Sequence, residues 1–224
     1  MTSTPSRRGP RRSLREDDLL DAALSLLDEG GPDAASVRGI AARVGVAPNA
    51  VYTYFRDRTA VIRALVDRFL GEVDPDVFAD RSQPWRTRVE SLALELRRQL
   101  AAHPGVVPLG IASRLDGPQA LNLHERLLEV FADAGLDDVE AARAAYLLVT
   151  YMLGSLALDV AGAPGPGPLP PEPGRVAARH RAFAAASADR FPRAAAAAAT
   201  VAAYVSTEQY LWGLRRLLDG IDAA

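Results

Sequence analysis

The chain has three histidines, His103, His124 and His180, scattered over separate segments. None has a carboxylate or second histidine at i+3 or i+4, the spacing that makes a helical metal pair. Glu125, next to His124, points elsewhere round a helix. The serines lack a nucleophile-elbow context, and the run GAPGPGP is too rich in proline to offer backbone N–H groups to a phosphate. There is no cysteine, which excludes a disulfide framework, thiolate chemistry and cysteine-bound zinc, and fits a reducing cytoplasm. No enzyme, metal or cofactor is expected. The residues that could do chemistry together lie between Ser36 and Arg58. Asn49 can pair bidentately with adenine, and Thr53 can meet a thymine methyl or a phosphate. Tyr52 and Tyr54 carry hydroxyls long enough to reach phosphates, with core packing as the alternative for either ring. Arg38 is placed to reach a base or a phosphate. Arg58, with Arg56, sits where a helix N-terminus would help it hold a DNA backbone.

Those residues need a frame, and the segment SVRGIAARVGVAPNAVYTYFRDR supplies one. Val37, Ile40, Ala41 and Val44 recur at helical spacing. Gly45 breaks the run, because glycine takes a left-handed backbone cheaply. Pro48 suits a first helical turn, where its missing N–H would be unpaired anyway, and a second helix is expected over Asn49 to Phe55. A helix, a glycine turn and a second helix form the helix-turn-helix unit that lays its second helix in the major groove. The segment resembles the DNA-binding signature of the TetR family. The matching residues are Ser36-x-Arg38, Ile40-Ala41, Gly45-Val46, Tyr52-x-Tyr54-Phe55 and Asp57-Arg58. The resemblance is strong over about Leu14 to Leu70. It continues more weakly to YLWGLRRLLDGIDAA, which looks like the last helix of the subgroup containing the tetracycline repressor. It implies DNA contacts at Arg38, Pro48, Asn49, Tyr52, Thr53, Tyr54 and Arg58. Ala47 departs from the pattern, since relatives often have a capping serine or threonine there.

Charge is divided in the same sense. Residues 1–70 hold eleven arginines against nine acids, and the remainder fifteen against nineteen. A basic head on an acidic body suits a protein that meets nucleic acid at one end. The chain contains no lysine, so every fixed cation is a planar guanidinium. Residues 1–12, with four arginines, read as a basic arm, either following DNA or solvated. Residues 13–58 form the helix-turn-helix domain, its first helix opening at a Ser13-x-x-Glu16 capping box. Residues 59–224 form the body, with a proline–glycine loop at 163–174. At the boundary, Asp57 caps a helix with one face for the head and one for the body, and 71–83 reads as loop. Pro84 opens the next helix, and a helix after Gly117-Pro118 buries Leu121, His124, Leu127, Leu128 and Phe131. A long helix over ARAAYLLVTYMLGSLALDV is apolar almost all round, as if buried between a core and a partner. Residues 175–190 and a final helix capped by Ser206-x-x-Gln209 complete the chain. No strand pattern or repeat occurs. No uninterrupted apolar run reaches membrane-spanning length without charge, because Ala141 to Val160 includes Arg143 and Asp159. A cytoplasmic protein without a membrane partner is expected.

The expected fold is therefore all-α: a three-helix head on a larger helical body that binds ligand and dimerises. The family implies a body cavity for a small inducer, coupled to the head by the helix after Asp57. Candidate lining residues are Leu92, Leu96, Leu109, His124, Leu127, Tyr146, Val149 and Thr150. Gly110 falls where the tetracycline repressor has its chelating histidine, so a mainly apolar molecule fits better than magnesium–tetracycline. Tyr151, Leu153, Leu158, Tyr210, Leu211, Trp212, Leu214 and Leu218 are the candidate dimer interface, on two helices that would build a four-helix bundle with their mates. Two heads about 34 Å apart would read a palindromic operator. The function expected is sequence-specific transcriptional regulation, as a repressor released by its ligand. The alternatives are a relative that senses no ligand, or a helical interaction module with an idle head.

Overall fold

The computed structural model describes residues 14–74, 76–163, 165–184 and 188–222. The basic arm and Ser13 lie outside them. Every regular element among the described residues is helical. The head is built from α1 (Glu16–Gly30), α2 (Val37–Val44), α3 (Pro48–Tyr52) and α4 (Arg58–Gly71). Helix α1 starts at Glu16, where the Asp18 carboxylate accepts the Arg15 N–H at 2.9 Å. Ser36 caps α2, its hydroxyl accepting from the Gly39 N–H at 3.0 Å. Gly45 closes α2 at φ 73°, ψ 34°, and the next N–H, of Val46, returns to the Ala41 carbonyl at 2.9 Å. Asp57 caps α4 by accepting from the Ala60 N–H at 2.8 Å. Helix α3 is shorter than the expected Asn49 to Phe55. Its last turn opens as Phe55 swings into the core, and Ala47 provides no side-chain cap.

The body runs through α5 (Asp76–Ala79), α6 (Trp85–Ala102), α7 (Val106–Ala112), α8 (Pro118–Asp133) and α9 (Asp138–Ala161). It ends with α10 (Glu172–Ala184), α11 (Pro192–Ala196), α12 (Ala198–Ala202), a 3-10 turn (Ala203–Val205) and α13 (Thr207–Asp222). Two expected loops contain helix. Residues 71–83 hold α5, pinned because Phe78 is buried in the body core. The proline–glycine loop ends early because α10 begins at Glu172, where a proline in the first turn costs no hydrogen bond. Ser206 caps α13 as its spacing predicts, accepting from the Gln209 N–H at 3.1 Å.

Two cores result. The head core joins Leu19, Leu27, Ile40, Val51 and Phe55 to Val61, Leu65 and Phe69 of α4, and continues into Val106 and Val107 of α7 and Leu156 of α9. The division expected at residue 58 therefore marks no break in packing. The body core gathers Leu92, Phe131, Leu148, Tyr210, Leu214 and Leu218. Helix α9 is long and apolar enough to cross a membrane by length and composition alone. Here it is the spine of the body, and its Asp159 is 3% exposed. That carboxylate meets Arg97 at 2.5 Å and Arg175 at 3.6 Å. Burial raises the Asp159 carboxyl above its ordinary range, while the two guanidiniums pull it back.

Apart from its chain neighbours, no atom of the described residues lies within 4 Å of a methyl added at Gly45. Gly45→Ala should therefore act through backbone strain alone and destabilise the protein by about 1–2 kcal/mol. Urea denaturation measures this; an unchanged midpoint would mean the turn tolerates a side chain.

Candidate DNA-reading face and inner cavity

Helix α3 turns Val51 wholly inward and leaves Pro48, Asn49, Tyr52 and Thr53 on the outside. Tyr52 is 52% exposed. It makes no hydrogen bond within the described residues, so its hydroxyl is available to a phosphate. Arg38 projects from the first turn of α2, exposed and without an ion pair among the described residues. Asn49, on the first turn of α3, makes no side-chain hydrogen bond within the described residues. All three groups are exposed on α2 and α3, which are joined through the Gly45 turn and by Val46 packed against the head core.

Two other expected contacts are engaged inside the chain. The Arg58 guanidinium donates from Nε to the Ala35 carbonyl at 2.9 Å and from its other nitrogen to the Pro32 carbonyl at 2.5 Å. It ties α4 to the α1–α2 connection instead of pointing outward. The Tyr54 hydroxyl donates to the Leu14 carbonyl at 2.5 Å, closing the start of α1, although its ring stays partly exposed. Sequence spacing placed both beside the recognition helix. It did not reveal that carbonyls left over in the first loop and at Leu14 lie within their reach.

The body holds an apolar cavity of about 360 Å³ between α4, α6, α8 and α9. Leu92, Leu96, His124, Leu127, Tyr146 and Val149 all line it. Leu109 and Thr150 do not: Leu109 is turned into the head core, and Thr150 faces outward on α9. The wall also includes residues that helical pattern alone did not select, above all Leu70 of α4, Leu115, Ala120 of α8 and Met152. His124 and Leu121 were expected in the core. They are instead exposed at the mouth, because α8 buries Ala120, Leu127, Val130 and Phe131. Burial thus follows a face rotated from the one read from the sequence.

The expected dimer residues divide three ways. Tyr210, Leu214 and Leu218 are buried within the protomer's own core and so present nothing to a partner. Tyr151 is also used internally, stacked on the Tyr210 ring at 5.6 Å and donating to the Tyr210 carbonyl at 2.6 Å. Leu153 lines the cavity, and Leu211 packs partly on the body core. Leu158 and Trp212 remain outside, 72% and 58% exposed, along with Tyr146 and Leu147 of α9.

A joint between head and body completes the site. The first N–H groups of α8 have no acceptor within their own helix, and its N-cap, Gly117, has no side chain to provide one. Asp67 of α4 supplies it, Oδ1 accepting from the Gln119 N–H at 3.0 Å and the Ala120 N–H at 2.9 Å. One turn earlier on α4, Arg63 pairs with Asp116 at 2.5 Å.

Comparison with known proteins places this arrangement. Residues 19–65 match the model described as bacterial regulatory proteins of the tetR family, and residues 79–224 match the tetracyclin repressor-like C-terminal domain. An HTH-type transcriptional regulator of Saccharopolyspora erythraea is 30% identical over 146 residues, covering 65% of this chain and 61% of that one. The HTH-type transcriptional repressor DrrR1 of Streptomyces coeruleorubidus is 26% identical over 149 residues, covering 66% of this chain and 54% of that one. The chain thus spans somewhat over half the length of these two relatives. The crystal structure of the TetR family protein ActR of Streptomyces coelicolor, in complex with (S)-DNPA, superposes with a TM-score of 0.79 at 23% identity. It covers 95% of this chain and 99% of that one, a likeness that shows the common fold. With both halves of the signature matched in order along a chain whose described elements are all helical, the protein belongs to the TetR family of bacterial regulatory proteins.

Proposed function

We propose that this protein is a homodimeric, non-enzymatic repressor that leaves a palindromic operator when a small, mainly apolar molecule fills its body cavity. The carrying observation is that Leu70 of α4, the helix shared with the DNA-binding head, forms part of the cavity wall. A molecule seated there presses on the element that positions α2 and α3. The name of the repressor DrrR1 and the small molecule bound to ActR support the same reading for this chain. Its place of action is the cytoplasm, where the DNA is. Releasing DNA by about 100-fold requires the ligand to favour the released state by roughly 2.7 kcal/mol.

Selection from a random duplex library, followed by titration at fixed salt, tests the DNA half of the reading. A palindrome with half-sites one helical turn apart is expected; weak binding that ignores sequence and collapses as salt rises would overturn it. Tyr52→Ala and Arg38→Ala should each weaken operator binding by about 1–3 kcal/mol without altering the melting temperature. Arg58→Ala should instead lower stability by about 2 kcal/mol, because two carbonyls lose a charged donor. The opposite pattern would return Arg58 to the DNA surface and take Tyr52 off it.

The cavity half has its own check. Val149→Trp places an indole in the cavity and should abolish the fluorescence of anilinonaphthalene sulfonate bound to the folded protein. Undiminished fluorescence would place the dye, and the ligand site, elsewhere. For the dimer, Leu147, Gly154 and Leu158 recur along one exposed side of α9 at coiled-coil spacing. Leu158→Arg combined with Trp212→Arg should yield a monomer by light scattering, whereas a persistent dimer would locate the interface on another face.

A further inference from the structure

We infer that Asp67 is the coupling residue of this regulator: as the N-cap of α8 borrowed by α4, it transmits occupation of the cavity to the DNA-reading head. The inference rests on the ligand-release reading above and assigns its transmission to one carboxylate.

The geometry is that of a joint with no slack. Helix α8 begins at Gly117 in extended backbone (φ −76°, ψ 164°), a conformation in which serine or aspartate would cap the helix locally. Glycine leaves that task undone. Asp67 takes it over, accepting two of the free N–H groups. A methyl group at Gly117 would overlap the Asp67 carboxylate, so the absence of a side chain at 117 is what admits Asp67. The N-terminus of α8 therefore cannot move alone. Either α4 follows, or two N–H groups lose their acceptor.

The joint also lies against the ligand cavity. Leu70, Leu115 and Ala120 line the cavity on one side and, on the other, a cleft of about 330 Å³ whose wall also includes Arg63, Asp67 and Asp116. Ala120 itself donates to Asp67. A molecule that displaces Ala120 or rotates α8 acts directly on the hydrogen bonds to α4. Leu115, at φ 52°, is the one non-glycine residue with positive φ among the described residues, so the partition between cavity and cleft is held in a strained conformation. Arg63 and Asp67, four residues apart, lie on one face of α4, so the Arg63–Asp116 pair braces the same approach.

The decisive variant combines Asp67→Ala with Gly117→Ser. It removes the link to α4 while giving α8 a cap of its own, separating transmission from simple stabilisation. Anilinonaphthalene sulfonate would be titrated into the full-length protein with and without the selected operator duplex, and melting temperatures compared. In the parent protein, operator should weaken dye binding by about tenfold, since linkage makes the effect reciprocal. In the double variant that factor should fall to about one, with dye affinity in the absence of DNA and melting temperature close to the parent. Gly117→Ala, which leaves the Asp67 charge in place but pushes it aside, should also lose coupling. An undiminished factor in the double variant and in Gly117→Ala would overturn the role of Asp67 and leave the ligand-release reading standing. No effect of operator on dye in the parent would overturn the release reading, and this role with it.

Discussion

Both cores of this protein close on the same fourteen-residue helix. One side of α4 buries Val61, Leu65 and Phe69 among the head helices, and its C-terminal end reaches Leu70 and the body. A helix used in this way cannot shift against one core without disturbing the other, because close-packed interiors respond to displacement by repacking and not by continuous deformation. The polar contacts along it reinforce that constraint. Arg58 ties its start to the first loop, Arg68 pairs with Asp21 of α1 at 2.8 Å, and Asp67 and Arg63 bind α8 and its leading turn. The head is thus oriented by the body through hydrogen bonds that have direction as well as strength.

The recognition helix illustrates how little local stability such a head requires. At five residues α3 is far too short to be stable alone, and Ala47 gives it no side-chain cap. Its position comes from Val51 and Phe55, both buried, and from the left-handed turn at Gly45. Tertiary packing holds the helix, so its outward residues are released from structural duty. Tyr52, Asn49 and Arg38 find no side-chain partner among the described residues, whereas Arg58 and Tyr54 are consumed in holding the frame.

In the body, apolar surface and charge divide the work differently. The cavity lies between α6, α8 and α9 beside α4, and these body helices pack together at Phe131 and Leu148. The far end of α9 is anchored by Asp159 between Arg97 and Arg175, with Arg97 also donating to the Val205 carbonyl at 2.8 Å. Removing one member of such a buried set strands a charge, which is more costly than never having built it. That end of the body is accordingly held by charge, and the end beside Gly117 and Leu115 by the hydrogen bonds of Asp67.

Local signals in the sequence determined the helix-turn-helix, the caps at Ser36, Asp57 and Ser206, the all-helical class and part of the cavity wall, because each depends on residues within one or two turns of each other. Leu92, Leu96, Leu127 and Val149 were legible as apolar positions on body helices, and Tyr52 and Asn49 as polar positions on the outer side of a short helix. Only tertiary structure decided which of several apolar faces points where. It turned Leu109 to the head, Thr150 to the outside, Leu153 into the cavity, and Tyr210, Leu214 and Leu218 into the protomer's own core. It also decided which donors find distant acceptors, as Arg58 does at Ala35 and Tyr54 at Leu14. The Asp67 cap on α8 spans more than fifty positions of chain. Periodicity specifies a helix and its faces, but an N–H at 120 meets a carboxylate at 67 only when two cores have set the distance between their helices.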